Sequence, residues 1–158
     1  KGFNMAAGDW KWFAQGLHDI GNKVIDLDTD VLKFGLVTAV LTPTVTLAAP
    51  CWGAGGTNNM STNQIATATS YTGPVTLASV TWTKDATGAV LDFADAAVIA
   101  QDAGGATNIA WRILYSDTAA NKQCIGYQEL STAGTISLVA GSLTLTESAS
   151  GVLRMTQS

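Results

Sequence analysis

Asn108-Ile109-Ala110-Trp111-Arg112-Ile113-Leu114-Tyr115 and Cys124-Ile125-Gly126-Tyr127-Gln128-Glu129 are two short apolar runs parted by the turn-forming residues 117–121 (Asp-Thr-Ala-Ala-Asn). Large side chains recur at every second position, the period of an extended chain with a buried face. The same texture holds in residues 75–83, 89–93 and 142–146, and further turn signals stand at 84–88 and 102–105. Runs of this length with Gly, Asn and Asp between them predict antiparallel strands joined by hairpins. No fixed-period repeat is visible, which argues against a solenoid or propeller. The expected fold is mainly β, an antiparallel β-sandwich or barrel-like domain.

Working outward, residues 31–38 (Val-Leu-Lys-Phe-Gly-Leu-Val-Thr) read as a strand buried on nearly both faces. Ahead of them lies Asp26-Leu27-Asp28-Thr29-Asp30. An EF-hand loop would require Gly where Val31 stands and Glu where Val37 stands, so the acids are read as a turn bonding its own backbone. Residues 42–74 are rich in Gly, Thr and Asn and hold all 3 prolines. They are expected to form a long loop that can cross to a neighbouring subunit. Their glycines match neither phosphate-binding pattern.

Residues 1–23 differ in kind, with Phe3, Trp10, Trp12 and Phe13 crowded together. From Asp9 to Ile20 the spacing of Trp10, Phe13, Leu17 and Ile20 predicts one N-terminal α-helix, with Asp9 as N-cap and Gly21-Asn22 as stop. An extended N-terminal arm precedes it. The expected organisation is therefore an arm and helix over 1–23 and a β domain over 24–158. The helix is expected to pack mainly on its own core and the arm on a neighbour. Candidate subunit-contact residues are Phe3, Asn4, Met5, Trp10, Trp12, Cys51, Trp52 and Asn58, because aromatic anchors and loop tips dominate such contacts.

Composition narrows the function. The chain has 158 residues, 47% of them hydrophobic and only 13% charged, with net charge −4. A chain of this size can bury a core of its own, and low charge suits a surface partly covered by other subunits. Without a Lys/Arg run, direct nucleic-acid binding is not expected. No apolar stretch approaches the ~20 residues of a membrane helix, and no apolar h-region follows Lys1, so neither a membrane span nor a secretory signal is expected. Cys51 and Cys124 have no metal-ligand spacing; a disulfide between them stays open, though a cytoplasmic setting disfavours it.

Chemistry is thinly represented. The sole histidine is His18, Glu129 and Glu147 are the only glutamates, and no Gly-x-Ser-x-Gly elbow occurs. No enzyme, cofactor or metal site is expected.

The order of segments resembles small structural proteins of tailed-bacteriophage virions that decorate or cement the capsid. The resemblance runs from about Leu17 onward: 25–38 (Ile-Asp-Leu-Asp-Thr-Asp-Val-Leu-Lys-Phe-Gly-Leu-Val-Thr), Tyr71-Thr72-Gly73, Val90-Leu91-Asp92-Phe93-Ala94-Asp95, 110–117, Ile125-Gly126-Tyr127, Leu143-Thr144-Leu145-Thr146 and Gly151-Val152-Leu153. The loop around Cys51 and the aromatic N-terminus fit it less well. It implies no active site. It implies the major capsid protein and neighbouring copies as partners, and the outer surface of the head, assembled in the bacterial cytoplasm, as location. Two other functions are weighed beside it. One is a phage tail component (tube, terminator or fibre-base protein). The other is a carbohydrate-binding module using Trp52, Trp82 and Trp111.

Overall fold

A computed structural model describes residues 7–156. It is mainly β, with antiparallel sheets and one short helix near the N-terminus. The strands are β1 (Lys11–Trp12), β2 (Leu32–Thr38), β3 (Pro50–Cys51), β4 (Asn58–Asn59), β5 (Val75–Thr76), β6 (Thr81–Lys84), β7 (Gly88–Asp92), β8 (Ile109–Ser116), β9 (Cys124–Glu129) and β10 (Leu153–Thr156); the helix α1 is Ala14–Gly21. A five-stranded sheet runs β1-β9-β8-β2-β5, a three-stranded sheet β10-β7-β6, and β3 and β4 form a small parallel pair.

Alternation along β8 explains the layering. Leu114 points to a core shared with Leu91 and Leu153 of the three-stranded sheet. Ile113 and Tyr115 point to the opposite face, where Phe13, Trp52 and Met60 cover them. Both faces of the central sheet are thus buried, as the run through β2 requires: Leu32, Phe34 and Leu36 serve one face and Val37 the other. Between β8 and β9 the register slips by one residue at Leu114/Tyr115, so that Tyr115 stands opposite Cys124 and Leu114 opposite Gly126.

The hairpin read at 84–88 joins β6 to β7, with Asp85 N–H donating to the Gly88 carbonyl. In the acidic turn, Asp26 accepts from Asp28 N–H and Asp30 accepts from Asp26 N–H and the Ser116 hydroxyl. No helix among the described residues is long and apolar enough to cross a membrane.

Several expectations are corrected. The helix starts after Phe13, not at Asp9, and no side chain caps it. Lys11 and Trp12 instead pair with Tyr127 and Gly126: an open sheet edge offers these residues backbone partners, and that outweighs the helical spacing. The run 75–83 is two strands in two sheets, parted where Ser79 turns to a positive φ of 53°. Residues 142–146 form no ladder and make a single bridge, Leu143 to Ile99. β10 was not anticipated. The loop at 42–74 is a cover on this chain's own sheet: Cys51, Trp52, Met60, Ile65 and Tyr71 are all buried. Gly35 makes that cover fit, since a Cβ there would collide with the Trp52 indole. Of the arm, Gly8 N–H donates to the Glu129 carbonyl, continuing the edge pairing of β1.

Candidate functional site

Two sheet edges lie along one groove. β1 ends the five-stranded sheet and β10 ends the three-stranded sheet. Both line a groove of about 870 Å³, together with Leu17, Val45 and Glu147. Trp12 joins the edges, its indole N–H donating to the Arg154 carbonyl at 3.1 Å while its ring meets Trp82 edge-on at 6.4 Å.

Beneath the groove sits a charged cluster inside an apolar core. The Arg112 guanidinium donates from both terminal nitrogens to Glu147, at 2.5 and 2.8 Å, and its Nε donates to Gln128 at 2.5 Å. The two charged side chains are 1% and 4% exposed. Trp10 closes the cluster: its N–H donates to Glu147 at 3.1 Å and Arg112 lies 4.4 Å from its ring centre. Gln128 then donates to the Gly8 carbonyl at 2.8 Å, and Glu147 N–H donates to Asp95 at 2.7 Å. Burial pulls the Arg112 pKa down and the bonds to Glu147 oppose that pull. A buried pair is tolerable only with its hydrogen bonds filled, as here. The cluster pins the N-terminal segment to the central sheet.

The sequence-derived contact residues fall into three groups. Phe3, Asn4 and Met5 lie outside the described residues. Trp10 and Trp12 are half-buried and line the groove. Cys51 and Trp52 are 1% and 6% exposed, which takes them off the surface where the sequence placed them. Trp52 stacks flat on Tyr115, ring centres 5.2 Å apart, because Gly35 leaves a seat in the sheet. Asn58 is partly exposed but committed locally, its amide donating to the Ala48 carbonyl at 2.6 Å. No family model, no curated protein and no solved structure matches this chain.

Cys51 and Cys124 are free. Cys51 pairs with Gln123 across an isolated bridge, and its thiol donates to the Gly53 carbonyl, while Cys124 points to the face that holds Trp52 and Tyr115. Burial pushes the Cys124 thiol well above its ordinary pKa, so it is a packing group rather than a nucleophile. His18 is exposed beside Gln15, Asp19 and Asn22. Among the described residues no cluster of three His, Cys, Asp or Glu side chains is placed to hold a metal. The three tryptophans considered for sugar stacking do not form one platform: Trp52 is buried, Trp82 packs on Trp12, and Trp111 packs edge-on to Tyr127 at 6.1 Å.

Arg112, Gln128, Glu147 and Arg154 were missed as site residues. The signal lay in parity: Arg112 shares the inward side of its strand with Leu114. A charge at such a position needs a buried counter-charge, which the chain's 12 acidic residues could supply.

Proposed function

We propose that this chain is a structural protein of a tailed-bacteriophage virion. In this reading it decorates and cements the outer surface of the head by bridging subunits of the major capsid protein. The observation that supports it is the groove between β1 and β10. The two edge strands stand beside half-buried tryptophans, and Ala7 lines the rim. Such an edge takes an extended segment by strand addition, with main-chain bonds giving affinity and aromatic anchors giving specificity. Many copies on a closed lattice convert modest contacts into firm attachment through avidity. The sparse charge fits contacts that are apolar and backbone-mediated. No catalytic step, cofactor or nucleic acid enters this role.

The test is to add purified chain to undecorated heads and to isolated tails and measure occupancy by sedimentation across salt. Saturable binding to heads, only slightly weakened by salt, is expected, because screening acts mainly on exposed charges. Removing residues 1–6 should lower occupancy without unfolding, since the Gly8 carbonyl that accepts from Gln128 is retained. Binding to tails and not heads replaces this reading with a tail component.

A further inference from the structure

Away from the groove, Asp19 sits in the last turn of α1 and is 7% exposed. It lines a small pocket of about 140 Å³ with Gln15, Cys51, Gly55, Asn121 and Gln123. Inside the chain it receives an amide hydrogen bond from Gln15 at 2.8 Å and has the exposed His18 ring at 3.4 Å. Among the described residues no Lys or Arg lies within ion-pair distance of it; Lys33, Lys122, Arg112 and Arg154 are paired with Asp117, Glu147 and Asp85 instead.

This placement opposes folding twice. A buried carboxylate without a cation is costly, and a negative charge near a helix C-terminus opposes the helix dipole. Glu147, by contrast, is more deeply hidden, its side chain 4% exposed against 10% for Asp19, and is paired with Arg112. At the pocket wall Gly55 packs directly on the Asn121 side chain, where a Cβ would come within 2.6 Å. The pocket's volume is close to that of a cavity of about 150 Å³ known to admit a benzene ring, which is the scale of a guanidinium with its last methylene.

We propose that this pocket receives an arginine side chain from a neighbouring protein, with Asp19 as its counter-charge. A planar guanidinium donates in several directions at once and so suits one carboxylate ringed by amide side chains. That the arginine belongs to another virion subunit rests on the function proposed above; the pocket itself does not.

The experiment uses the full chain and Nα-acetyl-arginine amide as probe, read by the backbone amide NMR shifts of Gly55, Gly56 and Asn121. Saturable shifts are expected. The citrulline analogue, which has the same shape without the charge, should bind at least tenfold more weakly, and Asp19→Asn should remove the discrimination. Equal responses to both probes, or shifts that merely follow ionic strength, overturn the proposal. So does saturable binding of calcium chloride in place of the arginine probe. The two probes are compared on the unaltered chain, so the result stands even if Asp19→Asn folds poorly. Arginine-amide binding by a chain that binds no heads would fault the virion reading and leave the pocket intact.

Discussion

One face of the central sheet is covered by a second sheet and the other by an irregular segment. On the first, Leu32, Phe34, Leu36 and Leu114 meet Leu91 and Leu153, and the Arg112–Glu147 pair is buried beside them. On the second, the residue just before α1 and the segment around Cys51 and Met60 lay Phe13, Trp52 and Met60 over Val37, Ile113, Tyr115 and Tyr127. The first face is held by repeated aliphatic contacts and one hydrogen-bonded charge cluster. The second depends on a few large rings, each needing a matching seat. The first should therefore fail electrostatically and the second sterically.

The largest effect should come from the charge cluster. Arg112→Met leaves Glu147 buried and unpaired, and should cost about 3–5 kcal/mol in urea unfolding. The double change Arg112→Met with Glu147→Leu should recover most of that. If the single variant is as mild as the double one, the first face does not depend on charge pairing.

Next comes alkaline pH, which samples both faces at once. Burial pushes the Tyr71 phenol up to about 12, against the bond it accepts from Leu36 N–H. Burial also raises Tyr115 beneath Trp52, helped by the nearby Asp117 charge. Up to pH 10 native and unfolded chains both hold these protons. From 10 to about 12 only the unfolded chain releases the Tyr71 proton, so stability falls as pH rises, by about 2–3 kcal/mol for Tyr71 alone. Tyrosinate absorbance should appear together with loss of structure in one step. Absorbance that develops gradually in a chain still folded would contradict the burial of these rings.

A smaller loss, about 1–3 kcal/mol, is expected from Gly35→Ala by overpacking against Trp52. Combined with Trp52→Ala its cost should largely vanish, a coupling above about 0.5 kcal/mol. Strict additivity would show that the indole does not sit over Gly35. Smallest is Trp12→Phe, which loses the bond to the Arg154 carbonyl and should cost about 0.5–1 kcal/mol. The same variant should lower occupancy on heads, and unchanged occupancy would remove Trp12 from the binding surface.

The same contrast governs what was readable. β2, β7, β8 and β9 are visible in sequence because alternation and turn residues are local signals. Lys11–Trp12 was read as helix because its partners, Tyr127 and Gly126, lie more than a hundred residues away and leave no mark in the local spacing. The covering role of Trp52 depends on the absence of a side chain at Gly35, a complementarity no periodicity encodes. Of the residues lining the groove, Trp10 and Trp12 were singled out through their aromatic character, while Arg154 sat in a strand that was not anticipated. Asp19 passed unnoticed, because an acid on a helix reads as solvated until the packing around it is known.

The pairing of the chain's two ends also has a consequence for synthesis. Trp10 bonds Glu147 across 137 residues, and β1 docks on β9. On a ribosome that releases the N-terminus first, Lys11 and Trp12 emerge long before either partner exists, so the edge strand joins last. The three tryptophans at positions 10, 12 and 82 spend that interval without their native cover. A released chain cut before Cys124 should therefore leave this aromatic segment exposed for chaperones to bind, and the released chain through Thr156 should not.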